Sequence, residues 1–134
     1  MVTKIADTGL LVAALDRRDA HHPWAMRMLE EHEPPWLVCE AVLAEVSASV
    51  GTPEPVLEML RLGDLEIAFD LAENLPEVLA LTRKYRDVEM DLADACVVRM
   101  SELFERAAVY TVDRKDFMVY RRRGRQQIPC EFPG

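Results

Sequence analysis

The chain has little of what breaks or staples a fold. Glycine and proline are scarce, with Gly 5 and Pro 8 in 134 residues, which excludes a collagen-like or low-complexity disordered chain. Cysteine is limited to Cys39, Cys96 and Cys130, with no C-x-x-C pair. No disulfide framework or zinc ribbon is encoded, and reduced, packed thiols of a cytoplasmic protein are expected. Long apolar runs are missing too. The early stretch at 9–15 is preceded by Asp7 and flanked by a single basic residue, Lys4, so neither a secretory signal nor a membrane span is expected. Positive charge is short as well: Lys+Arg 16 against Asp+Glu 24 gives a net charge of -8. That balance argues against a nonspecific nucleic-acid coat, which needs a positive surface.

What is present suits one packed core. Half the residues are hydrophobic (50%), and at this length folding removes roughly two thirds of the unfolded chain's surface from water. No repeat or linker divides the sequence, so residues 1–134 are expected to form one domain. Strand and helix patterns alternate, which predicts an α/β fold on a mostly parallel sheet. Strands are expected at 1–6, 36–39, 65–69 and 108–112. The first helix is expected at 8–15 and a second, capped by Asp19, runs to Glu31. A third carries Val42, Val46 and Val50 at four-residue steps, and a short helix follows Gly51-Thr52-Pro53. Another spans 73–85 with Leu75, Val78, Leu79 and Leu81 inward, and the last spans 92–106 with Leu92, Cys96, Met100, Leu103 and Ala107 on one stripe. From Asp113 onward six basic residues (Arg114, Lys115, Arg121, Arg122, Arg123, Arg125) stand against three acids, a balance of +3, so the preceding part carries -11. The run at 121–125 reads either as a solvated loop or as a ligand-contacting patch.

In open parallel sheets ligands bind beyond the carboxyl ends of the strands, so acids at strand-to-helix junctions matter most. Asp7 stands between the first strand and the first helix, as a helix cap or as a ligand. Glu45 projects roughly 60° from Val42, on the margin of the buried stripe, whereas Glu40 projects roughly 160° away. Asp94 is the one charged residue between Leu92 and Val98, where an ionised carboxylate is costly unless paired or bound to a cation. Asp91, three residues earlier, reads as the cap of that helix. Asp113 follows the 108–112 strand, as a turn residue or as a ligand. Four acids from distant segments thus converge on one edge of one sheet. Packed carboxylates repel, and a divalent cation relieves the repulsion. All-oxygen ligation suits Mg²⁺ or Mn²⁺; adjacent His21 and His22 and the scattered cysteines supply no zinc set. Such a cage attracts phosphate oxygens and suits phosphodiester hydrolysis. Thr8 and Thr111 stand next to these acids and orient them or simply pack.

These residues resemble the PIN-domain ribonuclease family, in particular its VapC-type toxins. The resemblance covers nearly the whole chain. It rests on Ile5-Ala6-Asp7-Thr8, Val42-Leu43-Ala44-Glu45-Val46, Met90-Asp91-Leu92-Ala93-Asp94-Ala95 and Tyr110-Thr111-Val112-Asp113-Arg114-Lys115-Asp116-Phe117, in that order and spacing. It implies a three-layer PIN-like fold with a parallel five-stranded sheet in the order 3-2-1-4-5. It also implies a catalytic Mg²⁺ site, with Mn²⁺ as substitute, made by Asp7, Glu45, Asp94 and Asp113, with Asp91 and Asp116 at its periphery. An RNA substrate cut as an endoribonuclease, a cognate antitoxin and a homodimer follow from the same resemblance. Arg114, Lys115, Arg121, Arg122 and Arg123 then become candidates for RNA contact. Gly9 departs from the family, which often has Ser or Asn there, so one hydroxyl near the first carboxylate is missing.

Two other readings fit less well. A receiver-like Mg²⁺-binding interaction module would have paired acids after the first strand and a lysine after the last. A small-molecule phosphohydrolase would have a nucleophilic aspartate two residues before another, which Asp7-Thr8-Gly9 lacks.

Overall fold

A computed structural model describes residues 2–134; Met1, the start of the strand expected at 1–6, lies outside them. The chain runs β1 (Thr3–Ala6), α1 (Thr8–Leu15), α2 (His22–Glu31), β2 (Trp36–Val38), α3 (Glu40–Val50), α4 (Glu54–Leu62) and β3 (Leu65–Ile67). It continues with α5 (Leu75–Lys84), α6 (Leu92–Leu103), β4 (Ala107–Tyr110), α7 (Arg114–Phe117), β5 (Arg121–Arg122), β6 (Gln126–Gln127) and β7 (Cys130–Glu131). Five strands form one sheet in the order β3-β2-β1-β4-β7, every pairing parallel. This is the expected 3-2-1-4-5 order flanked by helices, with β7 as the fifth strand of the sheet. No helix among the described residues is long and apolar enough to cross a membrane.

The central strands explain the apolar runs. Ile5 pairs in register with Leu37 and Val109, and Ile5, Ala6, Val38 and Val109 are fully buried, as strands covered on both faces must be. Because all five strands point the same way, the chain leaves β1 at Asp7, β2 at Cys39 and β4 at Thr111 along one edge of the sheet. The helix that feeds β4, α6, returns against the strand direction and therefore starts at that same edge. Topology alone thus gathers Asp7, Asp91, Asp94 and Asp113.

Several elements differ from expectation. Asp19 does not cap α2; its carboxylate accepts the His21 N–H at 2.8 Å in a side-chain turn, and the helix starts at His22 with Pro23 in its first turn. In α5 only Val78 and Leu81 turn inward, while Leu75 and Leu79 are exposed; Leu92 and Leu103 are likewise exposed at the ends of α6. That helix stops at Leu103 because Ala107 pairs with Thr3 and opens β4. The basic run at 121–125 is not a plain loop: β5 and β6 form an antiparallel hairpin whose three-residue turn, 123–125, has Arg123 (φ 52) and Gly124 (φ 82) in the left-handed region, which glycine adopts without strain.

Gly9, in the first turn of α1, has a steric reason. A Cβ there would run into Val112 Cγ2, so the helix closes on the segment after β4 only without a side chain. Val112 is β-branched and has few rotamers with which to withdraw. We expect Gly9→Ala to lower stability by about 1–3 kcal/mol in urea unfolding, and Val112→Ala in the same chain to recover most of the loss.

Candidate metal centre

Asp7 occupies the N-cap position of α1, yet its side chain makes no capping bond. Instead its Oδ2 accepts the Thr111 hydroxyl at 2.7 Å, and Thr111 Oγ1 in turn accepts the Asp113 N–H at 3.0 Å. One buried hydroxyl therefore ties the acid after β1 to the acid after β4. Asp7 is 6% exposed, and burial pushes its carboxyl up to about 6, with the charges of Asp113 and Glu45 adding to the shift and the Thr111 bond opposing it.

The N-terminus of α6 supplies the next pair. Asp91 caps the helix by accepting the Asp94 N–H at 2.8 Å. Asp94, half-buried, accepts the Tyr120 hydroxyl on Oδ2 at 2.7 Å. Burial, reinforced by Asp91, Asp7 and Asp113, pushes the Asp94 carboxyl up to about 7. Asp113 accepts the Asp116 N–H at 3.0 Å at the start of α7. Single carboxylate oxygens of Asp94, Asp113 and Asp116 all lie within 4.8 Å of one another. Burial first, then the charge of Asp113, raises the Asp116 carboxyl. Glu45 lies at the surface of α3, its Oε1 accepting the Thr8 hydroxyl at 2.8 Å. Burial and the neighbouring Asp91 raise it.

The tightest triad thus contains Asp116, which the resemblance put at the periphery, while Asp7 sits deeper and Glu45 stands at the rim beside Asp91. Among the described residues the ion pairs are Arg18–Asp16, Arg61–Glu58 and Arg99–Glu102; none of the six clustered acids has a cationic partner. The N-termini of α1 and α6 offset part of the charge. A set of carboxylate oxygens with no ion-paired cation, Lys115 near Asp116 aside, fits a hard divalent cation. In an octahedral Mg²⁺ shell with Mg–O of about 2.1 Å, at most one pair among three ligands is opposite, about 4.2 Å apart, and the others are adjacent, about 3 Å apart, so the triad must draw in to hold one ion.

The basic tail is mostly occupied elsewhere. Arg122 is 7% exposed, its Nη1 donating to the Ser101 carbonyl at 2.9 Å and its Nη2 to the Glu105 carbonyl at 3.1 Å. It straps the β5–β6 hairpin to the end of α6, with its guanidinium buried. Arg121 Nη1 donates to the Met118 and Tyr120 carbonyls at 2.8 and 3.0 Å. Arg123 is held to Glu102 through its amide and its Nη2. Arg114 lies over the Phe132 ring, 4.5 Å from its centre, and Lys115 is exposed beside Asp116. Sequence reasoning missed Tyr120: its place three residues after Phe117 marks a buried face, but nothing local indicates that its hydroxyl meets Asp94.

No family model matches the chain. The chain is similar to Ribonuclease VapC26 of Mycobacterium tuberculosis strain H37Rv, 26% identical over 123 residues that cover 87% of this chain and 91% of that protein.

The raised carboxyls give the metal-free protein a defined pH response. As pH rises from about 4 to about 7, the unfolded chain releases its protons before Asp7 and Asp94 do, so stability falls across that window and levels off above it. In urea unfolding with EDTA present, Asp7→Asn should stabilise the protein by roughly 1–3 kcal/mol at pH 7.5, since its amide oxygen still accepts the Thr111 hydroxyl, and the gain should vanish near pH 4.

Proposed function

We propose that residues 1–134 form one PIN-type domain that hydrolyses RNA phosphodiester bonds as a Mg²⁺-dependent endoribonuclease, with Mn²⁺ as substitute, and that it is the toxin of a toxin–antitoxin pair. The observation that carries this reading is the convergence of Asp7, Glu45, Asp94, Asp113 and Asp116 on one edge of the sheet, none of them ion-paired to a basic side chain. The similarity to Ribonuclease VapC26 supports it at the level of nuclease class.

Asp94, Asp113 and Asp116 hold the ion, Asp7 closes the cage from beneath, and Asp91 keeps the first turn of α6 in place. The bound cation lowers the pKa of a water molecule and stabilises charge on the phosphorane-like transition state. Glu45 has one oxygen held by Thr8 and stands beside Asp91; with its carboxyl raised by its surroundings it is suited to accept the proton of the attacking water. Tyr120 is a positioning residue: it holds one oxygen of Asp94 and leaves the other for the ion. Lys115, beside Asp116, meets the phosphates, while Arg114 ties to the Pro133 carbonyl and the Phe132 ring and Arg121 and Arg123 shape the neighbouring hairpin. A basic antitoxin complements the net charge of -8, and the leucines exposed on α4 and α5, Leu57, Leu62, Leu75 and Leu79, offer apolar surface to such a partner or to a second copy in a homodimer.

Purified protein should cut single-stranded RNA with Mg²⁺ or Mn²⁺ and stop with EDTA. Asp94→Asn and Asp7→Asn should each slow cleavage by about two orders of magnitude or more; either variant cutting at the wild-type rate removes that residue from the site. Tyr120→Phe should weaken Mn²⁺ binding about 10- to 100-fold, with cleavage recovering at high Mn²⁺. RNA affinity, measured on an uncleavable strand, should rise on adding Mn²⁺, and equal affinity in EDTA would contradict the role given to the cation.

A further inference from the structure

Beside the acid cluster, the end of α7 and the last two strands enclose a cavity of about 400 Å³, whose walls include Met118, Gln127, Cys130 and Phe132. Short links join it to the acids. Arg114 follows Asp113 directly, and its guanidinium lies 4.5 Å from the centre of the Phe132 ring while its Nη2 donates to the Pro133 carbonyl at 3.3 Å. Phe132 in turn follows Glu131, whose carbonyl accepts the Thr111 N–H at 3.1 Å. Thr111 is the residue whose hydroxyl ties Asp7 to Asp113. The cavity is therefore the next feature a strand meets on leaving the cluster toward β7.

Its lining suits a flat, neutral heterocycle. Phe132 is half-buried and held by Arg114, and unpaired RNA bases stack on such rings and on guanidinium planes. Met118 is 45% exposed, and its polarizable thioether packs well against an aromatic edge. Gln127 is exposed on β6, and among the described residues its side chain bonds only to Met118 Sδ, at 3.7 Å. Sulfur is a weak acceptor, so the amide gives up that contact at little cost and turns its donor and acceptor to the polar edge of a base. No charged side chain lines the cavity, which leaves phosphate without a partner there.

We propose that this cavity receives one unpaired nucleobase of the RNA strand, from a nucleotide neighbouring the scissile phosphate, with Phe132 as its stacking surface and Gln127 reading its edge. The placement rests on the ribonuclease reading above. On α7, Asp113 and Asp116 stand roughly 60° apart about the axis, and Arg114 and Met118, four residues apart, roughly 40°. The acids thus hold one side of this short helix, and the side next to it faces Phe132. A strand whose phosphate lies over the acids crosses the first turn of α7 and brings a neighbouring base to the ring. Only an unstacked base can enter, so the cavity selects single strands over duplex and sets the register of the cut.

The first arm of the test uses nucleosides, which carry no phosphate and need neither cation nor cleavage. Protein labelled with ¹³C at its methionine methyls is titrated with adenosine and with uridine in EDTA. The Met118 resonance should shift while those of the buried Met90 and Met100 stay in place, and Phe132→Leu and the surface change Gln127→Ala should each weaken the binding several-fold. A Met118 resonance that never moves overturns the proposal. The second arm measures, with Mn²⁺, the affinity of short uncleavable 2′-O-methyl RNAs carrying one abasic site at successive positions. Removing the base at one position should cost about 5- to 30-fold, and that penalty should largely vanish in Phe132→Leu. Equal losses along the strand overturn the placement of a base in the cavity. The nucleoside shift and the abasic scan both use wild-type protein, so a variant that fails to fold does not blunt them. Protein that neither binds nor cuts RNA, yet shifts Met118 with nucleosides, would refute the ribonuclease reading and leave the base-binding cavity standing.

Discussion

Six carboxylates are packed at one edge of a parallel sheet with none of them ion-paired to a positive side chain, and much of the surrounding structure is arranged to hold them there. Their mutual repulsion works against folding, and burial adds to it at Asp7 and Asp94, whose carboxyls are pushed up to about 6 and about 7. The topology forces the encounter. Parallel strands end on a common edge, and a helix that feeds a parallel strand must begin on it, so acids after β1, after β4 and at the start of α6 meet whether or not they attract. Helix N-termini and backbone amides supply the partial positive charge that keeps the apo cluster tolerable.

Three hydroxyl groups finish the arrangement. Thr8 donates to Glu45, Thr111 to Asp7 and Tyr120 to Asp94, at 2.8, 2.7 and 2.7 Å. Each fixes an oxygen through a neutral donor. An arginine in any of these places would orient the carboxylate equally well and would also cancel its charge. Neutral donors orient without neutralising, which keeps the attraction for a cation in reserve. The three come from separate elements, so the shape of the cluster depends on the packing of α1, β4 and the α7 segment together. Gly9 belongs to the same requirement: only a residue without a side chain lets α1 close on Val112, immediately between Thr111 and Asp113.

How much of this could be read from the sequence depended on whether a feature was local or shared between distant segments. The first helix at Thr8–Leu15 and the cap at Asp91 follow from local pattern, because apolar periodicity and capping residues act over a few positions; the strand order came only with the family resemblance, since local pattern locates strands without saying which lie side by side. The convergence of Asp7, Glu45, Asp94 and Asp113 was legible because parallel topology fixes where junctions fall. The place of Asp116 was not, since a four-residue helix gives no periodicity to show which way its side chains turn. Tyr120 was invisible for a related reason: its partner is 26 residues away across a fold contact that no local pattern encodes. In α5, Leu75 and Leu79 fit an apolar helix but face outward, because the helix needs only Val78 and Leu81 against α6.

The net charge has the same lesson in another form. Counted along the chain, the tail after Asp113 carries +3 and looks like the natural landing site for a polyanion. In the fold, Arg121 and Arg122 are committed to backbone carbonyls and Arg123 to Glu102, so only Lys115, and an Arg114 itself held to the Pro133 carbonyl and the Phe132 ring, remain near the acids. A guanidinium bound to carbonyls keeps its charge but cannot follow a phosphate, and a few exposed cations beside six carboxylates leave the local field negative. For an RNA backbone to approach this edge, the field must first change sign locally, and a divalent ion held by the carboxylates themselves does that where two surface side chains cannot. The acidity that at first counts against a nucleic-acid substrate is therefore, at this one place, the means of recruiting the charge that the substrate requires.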